Sequence, residues 1–369
     1  MKILFLRFPL ESAMNGGAEL QTVSLMQGLS NRGHAVAFAG SCPALLTMCR
    51  QHHLPTVEWE IGPPPVTKKA AVTFAWRRMG MKKRLMELLD QFHDLDAVVM
   101  LSLSEKLLLT DIAAARGIKV FWIEHDKVGP WLSKNPWLKL LLRQSMYATT
   151  ITVSELSRHI YLHLGWENDR VVAIPNGVDS ARLQPRERSE VRDQRSVLRI
   201  GCIARLSPEK GVDVLLEAVK GIADVELTIV GTGREEAKIR SMIEQITNNQ
   251  KPITLITHSQ NIADIYASID ALVLPSRDHD PFGMVAAEAM MLGIPVIVTD
   301  KCGIADYLHD GKDVLIVKAG SAEALREAIE RLKKSEVRSQ MAENGRKTAQ
   351  EKFSLERMIK RYETVFAGN

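Results

Sequence analysis

A chain of 369 residues is too long for one ordinary hydrophobic core and predicts two domains of roughly 150–200 residues each. An apolar content of 46% with 25% charged residues excludes a disordered or fibrous chain. The formal net charge of +4 rests wholly on residues 1–180, where 20 Lys/Arg face 16 Asp/Glu, a mild excess that suits an anionic partner.

The opening MKILFLRFPLES is too short and too charged for a signal peptide, and no stretch approaches the ~20 apolar residues of a membrane span. The expected location is cytoplasmic, with peripheral contact to the inner face of the plasma membrane left open. Cys42, Cys49, Cys202 and Cys302 show no C-x-x-C pairing and read as reduced thiols.

In chain order, short β-branched runs alternate with helix-length amphipathic segments. The first expected strand, Lys2–Phe8, leads to the loop Asn15-Gly16-Gly17-Ala18-Glu19 and a helix. Paired glycines at a helix N-terminus bring N–H groups close to an anion; a plain tight turn is the alternative. His34–Gly40 follows as a strand. After Pro63-Pro64-Pro65, residues 66–89 hold Lys68, Lys69, Arg77, Arg78, Lys82, Lys83 and Arg84 against Glu87 alone, interleaved with Val72, Phe74, Trp76, Met79, Leu85 and Met86. That pattern fits either an anionic membrane surface or a solvated helix covering a sheet.

Strands are expected next at Ala97–Ser102 and Lys119–His125, then a second apolar-basic patch at Trp131, Trp137 and Leu138–Leu142, then strands at Thr149–Ser154 and Arg170–Pro175. His159 and His163 share a helix face, but Ile160 stands where a zinc-protease motif needs Glu, so they read as surface histidines. Residues 182–197, polar and highly charged, read as a linker.

The strand–helix rhythm restarts with Leu198–Arg205, Val225–Gly231, Ile253–Thr257, Ala271–Ser276 and Pro295–Asp300. Most of these runs are continuously apolar, as parallel strands buried on both faces require, and βαβ units follow. From Ser321 onward the pattern is helical, and the last helix, within 354–369, is expected to pack back on the first domain. The fold class is therefore α/β, two Rossmann-like doubly wound parallel sheets, spanning 1–181 and 198–353.

In such sheets ligands bind beyond the carboxyl ends of the strands, here expected in a cleft between the domains. Arg205 and Lys210 bracket the loop after one strand and could clamp a diphosphate; solvated loop charges are the alternative. In Pro275-Ser276-Arg277-Asp278-His279-Asp280-Pro281-Phe282-Gly283-Met284-Val285-Ala286-Ala287-Glu288, a strand runs into a loop and a helix. Asp280 and Glu288 offer carboxylates to hydroxyls beside N–H groups for a phosphate, and a buried Glu in a Met/Ala/Val helix needs a partner. Val230-Gly231-Thr232-Gly233 is half of a dinucleotide fingerprint, but Glu236 occupies the third glycine position, which disfavours an NAD-type oxidoreductase.

Taken together, these segments resemble the retaining glycosyltransferases of GT-B fold, glycosyltransferase family 4, along almost the whole chain. Gly16-Gly17-Ala18-Glu19 is similar to the family's N-terminal glycine loop. Val153-Ser154-Glu155-Leu156-Ser157 and Pro175-Asn176-Gly177-Val178-Asp179 resemble its segments before the linker, and Gly303 and Asp310-Gly311 its later turns. Arg205 and Lys210 match its phosphate-clamping pair, and Asp280 to Glu288 its two-acid motif, although the family usually has Glu where this chain has Asp280.

The resemblance implies that Glu288 holds the ribose hydroxyls, that the N–H groups of Met284 and Val285 take phosphate and sugar, and that Asp280 contacts sugar hydroxyls. Phe282 and Gly283 lie in the same donor-binding segment, and His125 is implied near the 6-position of the transferred sugar. The implied donor is a UDP- or GDP-linked sugar and the acceptor a saccharide or lipid-linked saccharide, with no metal, no other cofactor and no nucleic acid. Base contacts are expected around Thr257–Ile262. Transfer would pass through an oxocarbenium-like state, with domain closure excluding water. Asp278-x-Asp280 also fits the metal-holding pattern of the other main glycosyltransferase fold, the minor reading; non-catalytic sugar-nucleotide binding is another.

Overall fold

A computed structural model describes residues 1–9, 16–183, 197–247, 252–257 and 261–368. Most of the expected linker lies outside these residues, as do His258, Ser259 and Gln260 of the expected base-contact segment. The chain forms two compact units, Met1–Gly177 with Leu355–Asn369, and Val178–Ser354.

In the first unit, β1 (Lys2–Arg7), β2 (Ala35–Gly40), β3 (Thr56–Glu58), β4 (Ala97–Met100), β5 (Lys119–Glu124), β6 (Thr149–Thr152) and β7 (Val171–Ala173) form one parallel sheet in the order β3-β2-β1-β4-β5-β6-β7. The reversal of direction beside β1 leaves a crevice at the carboxyl ends of β1 and β4, where α/β sheets bind ligands. Alternation serves both faces: Ile3 and Phe5 enter one core, Leu4 and Leu6 the other. The helix Leu355–Ala367 adds Met358, Ile359, Tyr362 and Phe366 to the first of these cores.

In the second unit, β8 (Leu198–Ile203), β9 (Val225–Val230), β10 (Ile253–Ile256), β11 (Ala271–Leu274), β12 (Val296–Thr299) and β13 (Leu315–Val317) are again all parallel, ordered β10-β9-β8-β11-β12-β13. The switch point falls between β8 and β11, so the loops after these two strands are neighbours. The α/β class and the two doubly wound parallel sheets are as the sequence predicts. β3 and β13, both at sheet edges, are additional to the expected strands.

No helix among the described residues is long and apolar enough to cross a membrane.

Candidate active site

The loops after β8 and β11 carry most of the expected site residues. Arg205 is exposed, and among the described residues no carboxylate pairs with it. Lys210, one short helical turn further on, extends its ammonium to the Asp280 carboxylate, Nζ to Oδ2 2.6 Å. Ser276 Oγ donates to the same oxygen at 3.0 Å. The backbone fixes Asp280 as well: its N–H donates to the Lys301 carbonyl and its carbonyl accepts from Gly303 N, both at 2.9 Å. Asp280 is thus a rigid, buried anion that aims Lys210, leaving two further N–H bonds of the ammonium to offer.

The helix Met284–Met291 begins at Gly283, whose φ of 94° is left-handed and suits glycine. A Cβ there would crowd Leu274 at 3.0 Å and Ile304 at 3.4 Å. Among the described residues no side chain caps this helix, which leaves its first N–H groups to meet an anion. The Phe282 ring is buried edge-on against Phe353, with centroids 5.5 Å apart, so it anchors the loop and only its backbone is left to face a ligand.

Glu288, one turn into the helix, accepts a 2.6 Å hydrogen bond at Oε2 from the Tyr266 hydroxyl. Burial raises its pKa, opposed by that bond and by Arg182. Its partner in the protein is therefore Tyr266, with Oε1 left for a ligand hydroxyl. The glycines of Val230-Gly231-Thr232-Gly233 serve close approach: a Cβ at Gly231 would collide with the Ala204 carbonyl, and one at Gly233 with that of Leu206. They press the loop after β9 against the loop of Arg205.

In the first unit, Gly16 is the N-cap of the helix Gly17–Asn31 and provides no side-chain cap. A Cβ at Gly17 would meet nothing within 4 Å, so packing does not demand glycine and the helix terminus stays open. Glu19 is paired with Arg7 at 2.7 Å. His125 follows β5. Its Nε2 lies 3.5 Å from Thr22 Oγ1, while its Nδ1 is buried without a partner among the described residues. Because the Thr22 hydroxyl donates to the Ala18 carbonyl, it can only accept from the imidazole, which places the ring proton on Nε2. Burial, helped by Arg7 and Lys106 and opposed by Asp126, pushes the His125 pKa down to about 4, so the ring is neutral at pH 7.

The structure thus gathers Arg205, Lys210, Asp280, Gly283, Met284, Val285 and Glu288 at the carboxyl end of the second unit's strands, and Gly16, Gly17 and His125 at the carboxyl end of the first unit's strands. Asp278 and Asp280 are engaged separately: Asp278 Oδ1 accepts from the His279 N–H, and Asp280 is held by Lys210 and Ser276. Tyr266, Ser276 and the buried ion pair of Lys106 and Glu124, 2.8 Å, are site residues that sequence reading passed over. Only the need of a buried Glu288 for a partner hinted at Tyr266.

Residues 15–182 match the family described as Glycosyltransferase Family 4, and residues 185–348 the one described as Glycosyl transferases group 1. The whole chain superposes on the crystal structure of Anabaena Alr3699/HepE in complex with UDP, with a TM-score of 0.82 at 20% identity over 100% of both chains.

The chain has the two-sheet fold of the GT-B glycosyltransferases.

Among curated relatives, the capsular polysaccharide biosynthesis glycosyltransferase CapM of Staphylococcus aureus is 27% identical over 62% of this GT-B chain and 64% of its own length. The phosphatidyl-myo-inositol mannosyltransferase of Mycobacterium leprae is 32% identical over 51% and 50%. The chain spans less than two thirds of the length of either relative.

Proposed function

We propose that the chain moves a hexosyl or N-acetylhexosaminyl group from a UDP- or GDP-linked sugar to a saccharide or lipid-linked saccharide, with retention at the anomeric carbon and without a metal. The role would be glycoconjugate or cell-envelope polysaccharide synthesis, in line with the names of its capsular and phosphatidylinositol relatives and with the UDP bound by HepE. What carries the reading is the carboxyl end of β8 and β11 in the second sheet. There a cation that no carboxylate pairs with among the described residues, a second cation aimed by Asp280, an uncapped helix terminus and Glu288 lie on loops and helix starts that follow the neighbouring strands β8 and β11.

Each group then has a role. Arg205, Lys210 and the N–H groups of Met284 and Val285 take the diphosphate, whose charge grows as the bond to the sugar breaks; fixed donors aimed at developing charge usually lower a barrier more than any other single effect. Glu288 Oε1 accepts from a ribose hydroxyl. No side chain is assigned as a nucleophile, so the departing phosphate oxygen takes the acceptor's proton as the new bond forms on the same face. In the first unit, His125 is neutral and can accept a hydroxyl hydrogen at Nδ1, and Gly16 and Gly17 leave a helix terminus open to a ligand.

The deciding experiment is turnover with a panel of UDP- and GDP-sugars in EDTA, with the product anomer read by NMR. Arg205→Ala and Lys210→Ala should each lower kcat by about 10²–10³. Undiminished turnover in the double variant, or turnover abolished by EDTA, would count against the assignment.

An anionic bilayer is the proposed docking partner. The helix Lys68–Asp90 exposes Val72, Trp76 and Met79 by 61%, 76% and 70%, at spacings of four and three residues that form one outward stripe. Exposed Lys68, Lys69, Arg78, Lys83 and Arg84 flank it, the charge complement of acidic lipid. Sedimentation with vesicles should show binding that needs acidic lipid and is lost when Lys82, Lys83 and Arg84 become Glu. Binding indifferent to both changes would remove the membrane from the scheme.

A further inference from the structure

The short helix Ile262–Ser268 begins where the expected base-contact segment ends, and Asn261 caps it, its side chain accepting from the Ala263 N–H at 3.1 Å. Ala263, Ile265 and Tyr266 are its buried residues. Tyr266, 2% exposed, differs from the other two in carrying a hydroxyl inward, where a hydroxyl is costly unless it is bonded. Packing alone would be served as well by phenylalanine.

Two acceptors meet that hydroxyl, and both belong to the helix Met284–Met291: Glu288 Oε2 at 2.6 Å and the Val285 carbonyl at 3.4 Å. A phenol has one proton to give, and the shorter contact and the negative charge both draw it to Glu288. Burial and the neighbouring carboxylate hold the Tyr266 pKa well above the ordinary phenol value, so the proton stays on the phenol.

Along Met284–Met291, Ala286, Ala287, Ala289, Met290 and Met291 are buried, whereas Met284, Val285 and Glu288 stay partly open. The open face thus carries the uncapped N–H groups and the acid together, and Tyr266 reaches two of its three residues. Arg182, on the turn Ser180–Leu183 that packs on both helices, also acts on the acid. A glutamate has three rotatable bonds and loses rotamer freedom when it binds a ligand. The Tyr266 bond removes that freedom beforehand and leaves Oε1 for a ligand hydroxyl.

We propose that Tyr266 is a positioning residue that holds Glu288 in one ligand-ready pose, and that the preference for a ribose over a deoxygenated sugar in the bound nucleotide depends on its hydroxyl. The proposal rests on the reading of Glu288 as the ribose contact; the bond between the two side chains stands without it.

The test is calorimetric binding of UDP and GDP to the full chain, each beside its 2′,3′-dideoxy form. The parent should bind the better nucleotide about 10–100-fold more tightly than its dideoxy form, the usual worth of a hydrogen bond to a charged group. Tyr266→Phe keeps the ring and removes the hydroxyl. It should weaken the ribonucleotide about tenfold and the dideoxy form less than about twofold, since only the former uses Glu288. A merely structural role would weaken both forms alike.

Melting against pH is the second readout. Burial already raises the Glu288 pKa against the pull of Tyr266 and Arg182, and loss of the hydroxyl should raise it further. A folded-state pKa above the unfolded one gives stability that is complete at acid pH and lost as pH rises. Tyr266→Phe should therefore melt further below the parent near pH 8 than near pH 4.5, and adding Glu288→Gln should abolish the widening. Full discrimination retained in Tyr266→Phe, equal weakening of both nucleotide forms, or a melting difference indifferent to pH would overturn the proposal. A parent that binds neither UDP nor GDP, or binds each no better than its dideoxy form, would refute the ribose reading and with it this role for Tyr266, and the melting data would then report only the bond between the side chains.

Discussion

At the scale of single residues, the site shows how a charge can be placed by another charge. Asp280 and Lys210 are 70 positions apart, yet a 2.6 Å bond makes the carboxylate part of the cation's mounting. Sequence patterning could put both at the carboxyl ends of strands, because loops are recognised from the runs they follow. It could not join them, because nothing in a linear pattern states which loops become neighbours. Glu288 and Tyr266 teach the same: burial of an acid in an apolar helix announced a missing partner, but the hydroxyl that supplies it lies in a different helix. His125 allows a quantitative check. Its folded pKa of about 4 lies below the ordinary 6.5, so the folded state binds fewer protons than the unfolded one between these values. Stability is then complete above pH 6.5 and falls as pH drops toward 4. His125→Asn should flatten this dependence, read as the urea midpoint at pH 4.5 against pH 7. Equal pH dependence in both proteins would mean that the imidazole is solvated.

At the scale of elements, most strands found from sequence lie inside the two sheets, where continuous apolar runs leave little ambiguity, and only β7 and β10 among them are edge strands. β3 is Thr-Val-Glu and β13 is Leu-Ile-Val, each three residues long at a sheet edge. So short a segment carries no periodicity, and pairing on one side alone decides its state. The short helix Leu103–Leu108 holds an element-scale feature of a different kind. Glu105 is fully buried, with Oε1 accepting from the N–H groups of Leu101 and Ser102 at 3.2 and 2.5 Å, and Oε2 without a partner among the described residues. Burial raises its pKa from 4.5 to about 8, against the pull of these N–H bonds and of Lys106. The folded state therefore retains a proton that the unfolded state loses, so stability declines as pH rises from 4.5 to about 8. Glu105→Gln keeps the oxygen acceptor and removes the titration. The variant should melt higher than the parent at pH 8 and differ little at pH 4.5; a parent melting curve that rises between these pH values, with no gain in the variant, would contradict the buried-acid assignment.

For the whole molecule, sequence neighbourhood and structural membership part company at the chain's end. The helix Leu355–Ala367 directly follows the second unit, yet Met358, Ile359, Tyr362 and Phe366 complete a core of the first. Gly28, on the helix Gly17–Asn31, is where Ile359 seats; a Cβ there would strike its side chain. The second unit has a core cluster of its own, formed by residues from Leu198 to Met341. Damage to the terminal helix should therefore fall on one unit. Tyr362 is 1% exposed, and Tyr362→Ala should cost the first unit about 3–5 kcal/mol, the usual loss for a buried aromatic. A nucleotide-sugar at 100 times its Kd should still add about 2.7 kcal/mol to the unit that binds it. Calorimetry of the variant with and without ligand separates the two effects. A lowered transition that the donor does not move, beside one that the donor raises as in the parent, is the expected pattern. A single transition lowered by the substitution and raised by the donor would mean that the two cores melt as one cooperative body.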